Sequence, residues 1–159
     1  MRHAHVAAAR FTRAPNATTL SPPLAHILFL LALAAGLVAG FTLPDPASTA
    51  RAIASAGPEL TRLLRFMAAI KSLLVIGAAS VILWRLKAPV SAGRFIAYAS
   101  ISALMAAGIG EIWQLTRIGL GAMMLHGALA AAVLLLWQDR VLHQQLATAV
   151  SRRAGLRRR

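Results

Sequence analysis

The chain has 159 residues, of which 58% are hydrophobic and only 13% are charged. Soluble domains carry roughly 25% charged residues, so this composition excludes a compact water-soluble particle and predicts a one-domain integral membrane protein. The absence of cysteine excludes disulfides, thiolate metal sites and cysteine nucleophiles. The formal net charge of +13 does not indicate nucleic-acid binding, because the cations lie at the chain ends and between apolar runs.

Four apolar runs are each long enough for a helix that crosses a hydrocarbon core of about 30 Å. None shows the alternation of a barrel strand. The predicted fold is therefore all-α, a bundle of about four transmembrane helices at residues 24–43, 66–84, 95–113 and 118–137. A basic arm, residues 1–23, precedes this domain, and a basic tail, residues 139–159, follows it.

Local chemistry predicts how these helices are joined. Pro58 suits the first position of a helix, and Glu59 complements the positive end of its dipole, so the second helix is predicted to begin at Gly57-Pro58-Glu59. The few residues around Leu115-Thr116-Arg117 predict a tight antiparallel hairpin between the third and fourth helices. The tail could continue the fourth helix or lie along the membrane surface.

Lysine and arginine are unequally divided between the two sides that four spans create. The arm, the second connection and the tail hold 12 of them, whereas the opposite side holds Arg51, Arg62, Arg65 and Arg117. Because the side richer in these residues stays in the cytoplasm, both termini are predicted to be inside. The preference for arginine over lysine and the abundance of alanine are typical of a GC-rich bacterial genome. The predicted location is therefore the bacterial inner membrane, with anionic lipid attracted to the arm and tail.

The N-terminus has a second interpretation. A basic arm, an apolar run and small residues near Gly40 are also typical of a secretory signal peptide. The apolar core of a signal peptide is usually about 7–15 residues long, and this run is nearer 20. A retained first span is therefore the expectation, with cleavage as the alternative.

Small residues at a spacing of four predict close helix packing. They are Gly36 and Gly40 in the first span, Ala103 and Ala107 in the third, and Gly127 with Ala131 in the fourth. Such spacing lets backbones approach where lipid provides no hydrophobic force between helices. Packing inside the bundle is the favoured interpretation, and a homodimer or partner interface through Gly36 and Gly40 is the alternative.

Lys71 and Glu111 are charged residues within the predicted spans, where charge is costly and often functional. Both fall in the outer half of the membrane. Lys71 could extend to the surface on its long side chain, it could pair with Glu111, or the two could belong to an ion or proton path.

His126 is the ionisable group predicted nearest the middle of the membrane. With Met105 and Met123 it forms a weak candidate for copper or haem binding. His26 is predicted at a different depth, so a bis-histidine haem is disfavoured. The favoured interpretation is a neutral histidine hydrogen-bonded within the bundle, beside methionines that fill gaps. No cofactor is predicted, and copper or haem stays open.

Other patterns carry little chemistry. His3 and His5 form a short HxH pair on the arm, a weak metal signal. The chain has four acidic residues, Asp45, Glu59, Glu111 and Asp139, and no hydrolase motif. Catalysis is therefore not expected.

The first two helices, with Lys71 in the run Leu64-Arg65-Phe66-Met67-Ala68-Ala69-Ile70-Lys71, resemble the membrane domain of copper-resistance proteins of the CopD type. The resemblance covers less than half of the chain and includes no ligand motif, so it implies no function for this chain.

Three functional hypotheses follow. The first is a non-enzymatic accessory or assembly subunit of a membrane complex, which acts through helix packing with a protein partner or a second copy. The second is a small transporter or ion-permeation component that uses Lys71, Glu111 and His126. The third is a copper- or haem-associated protein centred on His126 and nearby methionines.

Overall fold

The computed structural model describes residues 19–156, with side chains up to residue 151. The arm up to residue 18, with His3 and His5, and the last three arginines lie outside this range. Within it the chain forms five helices and one pair of two-residue strands. In chain order these are β1 (Thr19–Leu20), α1 (Pro22–Thr42), α2 (Pro46–Arg85), β2 (Val90–Ser91), α3 (Ala92–Trp113), α4 (Ile118–Trp137) and α5 (Arg140–Leu156).

Four of these helices, α1 to α4, are long and apolar enough to cross a membrane, which confirms the predicted all-α bundle and its four apolar spans. Proline begins both α1 and α2, where its missing N–H has no helical acceptor to lose. The predicted tight hairpin is present between α3 and α4, and its Leu115 has φ of 60°.

Helix α2 has two parts, of which the first was not predicted. It starts at Pro46, where the Asp45 carboxylate accepts a hydrogen bond of 2.9 Å from the Ser48 N–H. Gly57 has non-helical angles, φ 76° and ψ 169°, and separates this first part from a second part that begins at Pro58, where the sequence predicted the start of the second helix. Glycine allows this conformation because it has no Cβ, and Pro58 then opens the long apolar part of the helix. Residues 46–56, the first part of α2, are less apolar than the part that begins at Pro58.

Helix α3 lies at the centre of the bundle and packs against α1, α2 and α4. In the most apolar part of α3, 56% of the residues are buried, against 22% in the most apolar parts of the other three helices. Gly36 and Gly40 lie against Ala103 and Ala107, so α1 and α3 run parallel. A Cβ on Gly108 would lie 2.7 Å from the Gly121 carbonyl oxygen, so α3 and α4 are also in close contact.

The bundle has two ends, which we name after a buried acidic residue at each. The Asp139 end holds the start of α1, the end of α2, the start of α3 and the end of α4. A cluster that includes Phe29, Ile82, Leu86 and Tyr98 fills this end. The Glu111 end is the opposite one, and a second cluster that includes Met105, Ile109 and Leu125 lies toward it.

Two features at the Asp139 end were not predicted. Residues of the arm pair with the second connection, because β1 and β2 form an antiparallel ladder that aligns Thr19 with Ser91 and Leu20 with Val90. The tail is a separate helix, since α4 ends at Trp137 and α5 starts at Arg140. Asp139 lies between these two helices.

Candidate functional site

Asp139 is fully buried at the junction between α4 and α5. Its carboxylate caps the start of α5: Oδ1 accepts hydrogen bonds from the backbone N–H groups of Val141 at 3.0 Å and Leu142 at 3.4 Å. The first N–H groups of a helix have no acceptor within the helix, so an aspartate at this position stabilises the helix start. The cap explains why the chain begins a new helix here.

The same carboxylate binds side chains from two other helices. Arg85, at the end of α2, donates from Nε to Oδ2 at 2.6 Å. The Tyr98 hydroxyl, on α3, donates to the same oxygen at 2.9 Å. Arg94, in the first turn of α3, lies with Nη1 3.4 Å from Oδ1. Asp139 therefore joins α2, α3 and α5 through hydrogen bonds to one buried group, and we call these four side chains the Asp139 cluster.

The cluster holds its carboxylate in the ionised form. Burial alone would raise the pKa of Asp139, but hydrogen bonds from Arg85 and Tyr98 and the charges of Arg85 and Arg94 outweigh burial and lower the pKa below its ordinary value of 3.8. Two guanidinium groups around one carboxylate leave the cluster with one net positive charge. Arg85 is almost completely buried, whereas the Arg94 side chain is 41% exposed.

The lone pairs of the Asp139 carboxylate are occupied by hydrogen bonds. A carboxylate that accepts several charge-assisted and backbone hydrogen bonds is a weak base and a weak nucleophile. No second acidic or imidazole group shares the site, and the part of the chain that the structure describes contains no group of three or more His, Asp or Glu side chains placed to hold a metal ion. The cluster therefore sets the relative positions of helices.

The Asp139 cluster was not predicted from the sequence. In the sequence, Asp139 was only one of four acidic residues, and Arg85 and Arg94 belonged to the second connection, whose positive charges indicated orientation. One signal was available in retrospect. Between residues 85 and 159 the only acidic residues are Glu111 and Asp139, and every other charged residue there is basic. An isolated acidic residue beside several arginines favours an ion pair.

Glu111 is buried in α3 and forms an ion pair with Arg117 at the start of α4, with Oε1 3.1 Å from Nη2. Within residues 19–151, no carboxylate oxygen lies within 4.0 Å of the Lys71 ammonium group, so the pair with Glu111 that the sequence suggested does not form. The short hairpin explains the choice of partner, because it returns Arg117 to Glu111 after only six residues. Lys71 is half-buried on α2.

A cation–π contact also stabilises the Glu111 end. The Arg65 guanidinium carbon, on α2, lies 5.5 Å from the ring centre of Trp113 on α3. An arginine at this distance from an indole contributes about 0.5–1 kcal/mol when exposed. Two of the arginines that marked this side in the sequence, Arg65 and Arg117, therefore also connect neighbouring helices.

The candidate metal ligands lie in different environments. His126 is exposed on α4, and its Nδ1 donates to the Ala122 carbonyl oxygen at 2.7 Å. Met123 is 75% exposed on the same helix, whereas Met105 is fully buried on α3. His126 and Met105 therefore do not face one common cavity within a single copy. Copper and haem binding stay untested.

The small residues chosen from the sequence also separate into two groups. Gly36, Gly40, Ala103 and Ala107 form the contact between α1 and α3. Gly127 is exposed, and a Cβ built on it would meet nothing within 4 Å. Five described glycines are in close helix contacts inside the chain, namely Gly36, Gly40, Gly108, Gly110 and Gly121. Gly127 therefore packs against none of the other described elements.

No protein-family model matches the chain, and comparisons with curated proteins and with solved structures found no significant match. The partial resemblance to copper-resistance proteins gains no support from these comparisons. The basis for a functional proposal is therefore the arrangement of the chain's own residues: a buried ion cluster that positions helices, a paired Glu111, and an exposed face of α4 that contains His126 and Gly127.

Proposed function

We propose that this chain is a non-enzymatic, multi-pass protein of the bacterial inner membrane that acts as an accessory or assembly subunit, by packing its helices against a membrane partner. The observation that carries the proposal is the exposed face of α4, where His126 and Gly127 lie side by side among apolar residues. No other element of the described chain covers this face.

His126 and Gly127 favour a protein partner over lipid. The Nδ1 of His126 is occupied by the Ala122 carbonyl, and Nε2 has no hydrogen-bond partner among the described residues of this apolar face. Polar groups are costly in hydrocarbon unless a neighbouring helix forms a hydrogen bond with them. Gly127 allows another helix to approach closely beside this nitrogen. Together they favour a partner helix that carries a hydrogen-bonding side chain, from another protein or from a second copy.

The proposed position in the membrane has both termini in the cytoplasm. Arg85, Lys87, Arg94 and Arg140 lie at the Asp139 end, and in the sequence the other arginines of the arm and tail precede β1 or lie within or after α5. At the Glu111 end the described part of the chain has four arginines, two of which are the Arg65 and Arg117 described above. This imbalance supports a cytoplasmic Asp139 end.

Single cysteines test this orientation directly, because the chain has no cysteine of its own. Ser55 lies on the exposed surface of α2 at the Glu111 end, and Ser151 on that of α5 at the Asp139 end. In intact spheroplasts, a membrane-impermeant maleimide is expected to label Ser55→Cys and not Ser151→Cys. After the membrane is permeabilised, both should react. Labelling of Ser151→Cys in intact spheroplasts would contradict the orientation.

The partner face is tested by crosslinking in native membranes. A photoreactive phenylalanine derivative at position 126 is expected to form a discrete protein adduct, and the same group at position 96, on an exposed part of α3, is not. Gly127→Leu should remove the adduct, because its side chain fills the space beside position 126. The variant should still accumulate, since nothing lies within 4 Å of that Cβ. An adduct at twice 16.8 kDa would identify a second copy.

Equal adducts at positions 126 and 96, or none at either position, would argue against the partner face.

The other two functional hypotheses, an ion path and copper or haem binding, have weaker support. An ion path would need Lys71, Glu111 and His126 along one route, but Glu111 pairs with Arg117 and His126 lies on the outer surface. Copper or haem binding would need ligands from more than one copy for the same reason.

A further inference from the structure

A groove of about 360 Å³ lies at the Asp139 end, between the end of α2 and α5. Trp84 and Lys87 line it on one side. On the other side are Val141, Gln144, Gln145 and Thr148, which are spaced by three or four residues and therefore lie on one face of α5. The groove combines a cation and neutral polar groups with the apolar surfaces of an indole and a valine.

The charge balance around this groove favours an anion. Lys87 is exposed, and no carboxylate oxygen of the described residues lies within 4.0 Å of its ammonium group. The acidic residue at this end, Asp139, is buried and already binds Arg85, Tyr98 and Arg94. That cluster itself keeps one net positive charge, so nothing nearby neutralises Lys87.

The polar wall favours an anion that also carries hydrogen-bond donors. The Gln145 amide oxygen is buried and accepts no hydrogen bond within the described residues. By turning its side chain toward the groove that it lines, Gln145 can bring this oxygen to a ligand hydroxyl group close to a phosphate that binds Lys87. Trp84 is half-buried at the end of its helix, a position where tryptophan commonly lies at the level of lipid headgroups.

We propose that this groove binds the headgroup of an anionic phospholipid of the surrounding bilayer, with the phosphate at Lys87 and a headgroup hydroxyl at Gln145. This inference rests on the proposed membrane insertion, which places the end of α2 at the bilayer surface. It does not depend on a protein partner. The groove selects lipid over a soluble phosphate because the acyl chains of a lipid can continue along the apolar surface of α2.

The test measures lipid binding to the purified full-length chain in mild detergent by native mass spectrometry. Phosphatidylglycerol should bind with saturation at one molecule per chain, and phosphatidylcholine should bind more weakly. Lys87→Gln is expected to reduce phosphatidylglycerol affinity about fivefold, as is typical for one cation near a lipid surface. Gln145→Leu should also reduce it. Lys87→Arg should retain binding, because it keeps the charge.

Lys71→Gln is the matched control, because it removes the other lysine of the chain, from α2, far from the groove. It should leave phosphatidylglycerol affinity unchanged within about twofold, an effect below one cation's contribution. Equal affinities of wild type and Lys87→Gln would overturn the proposal, as would an equal loss in Lys71→Gln. Displacement of the lipid by millimolar glycerol 3-phosphate would assign the groove to a soluble phosphate. Because these measurements use the purified chain, their results do not depend on whether the α4 face binds another protein in the membrane.

Discussion

Replacing Asp139 with asparagine is expected to lower the free energy of unfolding by about 3–5 kcal/mol, the usual effect of removing one partner from a buried ion pair. The substitution keeps the size of the side chain and its ability to cap α5, since asparagine is as good a cap as aspartate. What it removes is the negative charge. Arg85, which is almost completely buried, is then left without a counterion.

Thermal unfolding of the purified chain in detergent, followed by circular dichroism, measures this effect. Asp45→Asn is the matched control, because Asp45 caps α2 in the same way but is exposed and forms no ion pair among the described residues. It should change the stability by less than about 0.5 kcal/mol. Similar losses in the two variants would show that the buried charge of Asp139 contributes little to stability.

Acidification provides a second measurement on the same variant. Because the folded-state pKa of Asp139 lies below the ordinary value of 3.8, its carboxylate stabilises the folded chain fully above that value. The contribution is lost as the pH falls through the lower folded pKa. From about pH 5 to about pH 2, wild type should lose more stability than Asp139→Asn, and the two unfolding temperatures should converge. Parallel decreases would contradict the assigned role of the carboxylate.

Gly36→Leu is expected to separate α1 from α3. A Cβ at this position already overlaps the backbone of Ala103, and backbone cannot move aside as a flexible side chain can. Overpacking by single methylenes in a close-packed interior usually costs about 1–3 kcal/mol, and leucine adds a whole side chain. We therefore expect a loss at or above the upper end of that range, together with poor accumulation in the membrane.

The measurement is again thermal unfolding in detergent, together with the amount of protein in membranes. Gly77→Leu on α2 is the matched control, since a Cβ there meets nothing within 4 Å. It should be neutral or slightly stabilising, because leucine favours helix over glycine by up to about 1 kcal/mol. If both variants lose stability equally, the contact between α1 and α3 is not the cause. Within one copy, the same contact also occupies Gly40.

Much of the fold could be predicted because each span depends on its own composition. A run of about 20 apolar residues is unfavourable in water wherever it occurs, so hydropathy located α1, α3, α4 and the long part of α2. Residues 46–56 were not predicted as helix, because they are helical without being strongly apolar. The pairing of Thr19–Leu20 with Val90–Ser91 was not predicted, because two-residue strands carry no periodic signal.

The candidate site was much less predictable. Asp139 meets Arg85, Arg94 and Tyr98 across 54, 45 and 41 residues of chain, respectively. No local pattern indicates which arginine among several reaches a single acidic residue, because that choice depends on which helix ends meet. Glu111 shows the same difficulty. The sequence suggested Lys71 from its depth, but the geometry of the hairpin brings Arg117 to it instead.

The four apolar spans are what the sequence by itself determined, together with the strong bias of positive charge toward the arm, the second connection and the tail. The spans follow from the transfer free energies of individual side chains, which add along the chain. The charge bias is a count of lysine and arginine in each segment. Only the tertiary structure decided which small residues pack and which stay free, as Gly36 and Gly127 show despite their similar spacing. It also decided the partners of Asp139 and Glu111. Close approach and ion pairing depend on relative positions of helices, which no single segment specifies.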